Sequence, residues 1–154
     1  MKIALKYGLL ITAVVALWIL LVRLWLGMGT GPLGQIISAV LFNAAAILAI
    51  FLGMRERKRQ LGGALSFKEG IKTGMAISLV YAISACVFFM IEYLVAGPKL
   101  LLSEAGPQNS PLWQVAAMAY AGLFLGSLIF GLIYSTLIAF FLARRSGRVS
   151  TEMI

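Results

Sequence analysis

Residues 53–70 read GMRERKRQLGGALSFKEG and stand between two long apolar runs, 33–54 and 71–96. Strong helix formers carry the first run past its apolar part until Gly62, which offers a left-handed cap. Ser66 and Glu69 then have the spacing of a capping box, with the Ser66 hydroxyl on the Glu69 amide and the carboxylate returning to the Ser66 amide. The next helix is therefore expected to start at Phe67. The stretch predicts a tight helical hairpin, basic at its tip, that joins two apolar helices.

Outward from the hairpin, two more apolar runs complete the pattern. Expected helices cover 7–26, 33–61, 67–96 and 113–143, each reaching or exceeding the ~20 residues that cross ~30 Å of hydrocarbon. Irregular backbone does not face lipid, and no two-residue alternation suggests a barrel. The expected fold is all-α, a single membrane domain built as an antiparallel bundle of four transmembrane helices. Composition agrees: the chain is 62% hydrophobic with mean hydropathy +1.00, more apolar matter than a soluble core hides. The apolar run after Lys2 and Lys6 lacks an Ala-x-Ala-like site and reads as a retained anchor.

Charge orients the bundle. Lys2, Lys6, Arg55, Arg57, Lys58, Arg59, Lys68, Lys72, Arg144, Arg145 and Arg148 all fall on one side of the four runs, and only Arg23 and Lys99 fall toward the other. By the positive-inside rule the expectation is an inner-membrane protein with both termini and the 55–72 hairpin cytoplasmic and the 97–112 loop periplasmic. Trp25 and Trp113 fall near the outer helix ends, where indole favours the interface. The net charge of +8 hugs the span ends and forms no separate basic face, so orientation and anionic headgroups explain it better than nucleic acid. Arg55, Arg57, Lys58, Arg59, Lys68 and Lys72 make up a candidate collar for lipid headgroups or a partner.

The hairpin also carries a resemblance. Gly53-x-Arg55-x-x-Lys58-Arg59, followed by Gly62-Gly63-x-Leu65-Ser66-Phe67-x-x-Gly70-x-Lys72-x-Gly74, resembles the signature of the bacterial domain-of-unknown-function family 4199. The entry Leu5-Lys6-Tyr7-Gly8 and the four-span layout are similar to that family too. The resemblance implies a small bacterial inner-membrane protein over nearly the whole chain and supplies no activity, cofactor or ligand residue.

Small residues recur at every fourth position. The stripes are Ala4, Gly8, Thr12, Ala16; Ala45, Ala49, Gly53; Gly70, Gly74, Ser78, Ala82, Cys86; and Ser127, Gly131, Ser135, Ala139, Ala143. Such stripes let backbones approach, the main source of helix affinity in lipid. A second pair on the last helix, Gly122 and Gly126, suits either another internal helix or a neighbouring protomer.

Chemistry inside the spans is sparse. Arg23 and Glu92 lie at matching depths near the outer face, placed either to pair or to reach the interface separately. Asn43, Tyr81, Tyr120 and Tyr134 are polar but uncharged, suited to tying helices together or to lining a cleft. With no His, no Asp and a lone Cys86, the chain offers no catalytic base beside a serine and no metal cluster. We expect no enzyme, no cofactor and no metal. Two function classes stand: a non-catalytic helper that binds a membrane partner or lipid, and a small homo-oligomeric transporter or channel with Arg23, Asn43 and Glu92 on its pathway. The layout of small multidrug transporters is similar, but those place a membrane-embedded Glu in their first helix, which this chain lacks.

Overall fold

The computed structural model describes residues 1–24, 32–97 and 111–147, except for the side chains of residues 23, 24, 32, 96 and 144–147. Its elements are α1 (Lys2–Leu24), α2 (Pro32–Gln60), α3 (Phe67–Ala96) and α4 (Leu112–Gly147). All four are long and apolar enough to cross a membrane. The protein is an all-helical polytopic membrane bundle. Helix α1 begins ahead of the expected Tyr7, and α4 runs past the expected Ala143. Neither end carries a breaker there, so the helices continue into their polar flanks.

The hairpin closes by local chemistry. Gly62 and Gly63 have φ of 73° and 94°. Gly63 N–H donates to Lys58 C=O at 2.9 Å and Gly62 N–H to Arg59 C=O at 3.2 Å, the paired bonds of a Schellman cap. On the other side Ser66 is extended, and its hydroxyl accepts from the Glu69 amide at 3.2 Å. The reciprocal half of the expected box differs, since the Glu69 carboxylate reaches across the hairpin to Arg57.

Helix α3 is the hub and packs against the other three. Its stripe meets that of α4 in an antiparallel register. A Cβ on Gly70 would lie 2.6 Å from Ala139 Cβ, and one on Gly74 would lie 2.7 Å from both Ser135 Cβ and Met54 Cε. A Cβ on Gly131 would overlap Ser78. The rungs 70/139, 74/135 and 78/131 are thus backbone-close contacts that no larger residue enters. Helix α1 lies on α3 in parallel, with Gly8 receiving Val80 at 2.6 Å from its ideal Cβ. The apolar core sits toward the hairpin end and includes Tyr7, Ile11, Val15, Ile50, Met54, Leu65 and Ile77. Leucine, isoleucine and phenylalanine cover the outside, as on Leu20, Leu48, Ile83, Leu137 and Phe141. In water such a surface would aggregate, whereas lipid accepts it.

Two substitutions test the α3–α4 seam. Gly74→Val overpacks it and is expected to destabilise the bundle by about 1–3 kcal/mol or more, read as a lower unfolding midpoint in mild detergent. Ser135→Ala is expected to be neutral or stabilising, because the Ser135 hydroxyl is fully buried and makes no hydrogen bond among the described residues.

Candidate functional site

Polar side chains at the hairpin end tie α2 to each of the other three helices. Glu56, on the stretch of α2 beyond the apolar run, accepts from Lys6 Nζ at 2.8 Å and from Tyr7 Oη at 2.9 Å, both on α1. Lys6 also lies over the Tyr7 ring, 4.9 Å from its centroid. Arg57 Nη2 approaches Glu69 of α3 at 3.5 Å, with both side chains about two-fifths exposed, so the pair contributes little by itself. Lys58 Nζ donates to the Leu142 carbonyl of α4 at 3.2 Å.

The expected collar is thereby divided. Arg55, Arg59 and Lys68 are exposed around the hairpin. Lys58 turns inward to α4. Arg57, half-buried, and Lys72, itself exposed, line an open cavity of about 420 Å³ between the start of α1, the end of α2 and the start of α3. Lys2, Gln60, Glu69 and Thr73 share that lining, with Ile3, Ala4 and Ala76. Of these, Lys2 was grouped in sequence with the orienting charges only. Its distance along the chain from Lys72 hides their proximity, which comes from α1 lying parallel to α3.

Deeper in the bundle the polar groups are cross-helix ties. Tyr134 of α4 donates to Asn43 Oδ1 of α2, while Asn43 Nδ2 donates to Ala39 C=O at 2.7 Å. Both ends of the Asn43 amide are therefore engaged. Thr12 and Ser84 hydroxyls join α1 to α3 at 2.6 Å, and Trp18 Nε1 donates to Ser38 Oγ at 2.9 Å between α1 and α2. Four-residue spacing singled out Thr12 as part of a stripe. The signal for its bond to Ser84 exists only once the helices are aligned.

Glu92 is half-buried toward the opposite end of α3. Tyr120 of α4 lies within electrostatic reach of Glu92, Tyr93 and Cys86. The Arg23 side chain lies outside the described residues, as do Trp25, Lys99 and most of the 97–112 loop. The structure brings Asn43 to Tyr134, on α2 and α4, by a hydrogen bond. Trp113 is exposed near the start of α4.

Of the packing residues expected from sequence, Gly74, Ser78 and Gly131 all lie in the α3–α4 seam. Gly122 and Gly126 do not pack against the other helices among the described residues. A Cβ built on either meets nothing within 4 Å among the described residues. Among the described residues their face of α4 is bare, because the α3 contact uses the neighbouring stripe through Gly131 and Ser135.

Asn43→Leu removes one tie while leaving the apolar packing. Cross-helix hydrogen bonds in membranes average about 0.6 kcal/mol with a maximum near 1.7. Equilibrium unfolding in mixed micelles should show a loss in that range.

No curated protein and no solved structure matches the chain. The family described as "Protein of unknown function (DUF4199)" matches residues 6–103, which include α2, α3, the hairpin and nearly all of α1. The match ends before α4 begins, so it covers less than the nearly whole chain that the resemblance implied. It contains Gly53, the basic cluster, the Gly62-Gly63 cap and the Ser66-Phe67 helix start, together with Tyr7 and Glu56, which join α1 to α2. With the matched residues making up well over half of its length, the chain belongs to the DUF4199 family.

Proposed function

We propose that this protein is a non-catalytic interaction subunit of the bacterial inner membrane, with both termini and the hairpin cytoplasmic, and that α4 docks a transmembrane helix of another membrane protein. The observation that carries this reading is the bare Gly122/Gly126 face. The small stripe of α3 and that of α4 through Gly131 are consumed inside the bundle, whereas this pair leaves a groove in an apolar wall flanked by Met118, Leu125 and Ile129. A groove of that kind admits a second helix backbone. The asymmetry of basic residues supports the orientation through the positive-inside rule. The absence of histidine and aspartate supports a non-catalytic role.

A photo-crosslinking residue at Leu125, which flanks the groove without filling it, tests this in native membranes, with the lipid-facing Leu137 as the control position. The expected result is one heteromeric adduct of discrete mass from position 125, absent from position 137 and lost when Gly126→Leu is added. Adducts with lipid alone would overturn the reading. An adduct of twice the chain's mass would replace it with self-association.

The second reading, a small homo-oligomeric transporter or channel, rests on the half-buried carboxylate of Glu92 within the span of α3. Under it, Glu92→Gln abolishes coupled flux in reconstituted vesicles. Under the interaction-subunit reading the same variant keeps its adduct at position 125.

A further inference from the structure

We infer that the cavity between the first turn of α1, the last turn of α2 and the first turns of α3 is a binding site for the phosphodiester headgroup of an anionic phospholipid. Three cationic side chains, Lys2, Arg57 and Lys72, line it against one carboxylate, Glu69. That carboxylate already faces Arg57 at 3.5 Å. Lys2 and Lys72 have no ion pair among the described residues, so the cavity presents uncompensated positive charge to whatever enters it. Gln60 and Thr73 add hydrogen-bonding groups. The Thr73 hydroxyl donates to the Glu69 carbonyl at 2.8 Å, leaving its oxygen able to accept from a glycerol hydroxyl.

The rest of the lining selects the source of the phosphate. Ile3, Ala4 and Ala76 form an apolar portion that a free inorganic anion does not use and that the glycerol and first methylenes of a lipid cover. Basic pockets between transmembrane helices at the positively charged end are known sites for anionic headgroups, held by charge and by depth together. The volume of about 420 Å³ accommodates a headgroup and not a whole lipid, so the acyl chains continue outside the bundle. This site does not rest on the interaction-subunit reading: it lies at the hairpin end and uses α1, α2 and α3, away from the Gly122/Gly126 face of α4.

The experiment is native mass spectrometry of the full chain, tagged at its C-terminus, after delipidation and titration with phosphatidylglycerol or phosphatidylcholine. The expected result is selective retention of phosphatidylglycerol. Lys2→Gln with Lys72→Gln should weaken it roughly thirtyfold, the factor expected for two cations near an anionic surface. Arg55→Gln with Lys68→Gln removes the same charge from exposed side chains that do not line the cavity, and should change retention by less than about twofold, because solvent screens such charges from the bound phosphate. Ala76→Phe, which fills the apolar portion without altering charge, should also weaken retention. Equal losses in the two charge doubles would overturn the site in favour of diffuse attraction. Retention unaltered by the cavity double or by Ala76→Phe would overturn it outright. Displacement of the lipid by millimolar inorganic phosphate would overturn the lipid as occupant and assign the cavity to soluble phosphate.

Discussion

Close approach of α3 and α4 along Gly70/Ala139, Gly74/Ser135 and Ser78/Gly131 is the contact on which the bundle depends. Apolar side chains gain little by leaving acyl chains for one another, so helix affinity in lipid comes from dispersion between surfaces near enough to touch. Glycine and serine provide that proximity by being small. Because α3 also receives α1 through Gly8 and abuts Met54 of α2, the position it takes against α4 sets where the other two helices rest. The fully buried Ile77, Met54 and Ile11 fill the space that this arrangement leaves.

Hydrogen bonds complement that seam where packing is less intimate. Thr12 with Ser84, Trp18 with Ser38, Asn43 with Tyr134 and Glu56 with Lys6 and Tyr7 each join a helix pair other than α3–α4. Each tie is modest, but each also sets rotation, because a polar atom turned to lipid loses its partner. The division of labour is physical: small residues determine how near two helices come, and polar residues determine which faces meet.

What could be read from sequence follows the same line. Helix number, the Gly62 cap and the Phe67 start were legible because they rest on composition and on residues within one or two turns of each other. The stripe containing Gly74 and the stripe containing Gly131 were legible singly, since a four-residue period is local. Their pairing was not, because register depends on helix rotation and on the closure of a distant loop. The same reason hides the junction of Glu56 with Lys6 and Tyr7, some fifty residues apart, and the cavity that joins Lys2 to Lys72. Treating the basic residues as one collar missed that Lys58 serves α4 while Arg57 and Lys72 face a concavity. The Gly122/Gly126 pair had two available roles from spacing alone, and only the rotation of α4 leaves it bare.

The α3–α4 register also limits how the chain can change in length. Successive residues of a helix are turned by about 100°, so one residue inserted or deleted between Gly70 and Ser78 would swing part of the stripe away from α4 and bring bulky neighbours into the seam. A compensating change in α4 would have to fall at the matching depth on the antiparallel partner. Length variation among relatives is therefore expected to collect in the connections at 25–31 and 98–110, and these helices to diverge by substitution alone.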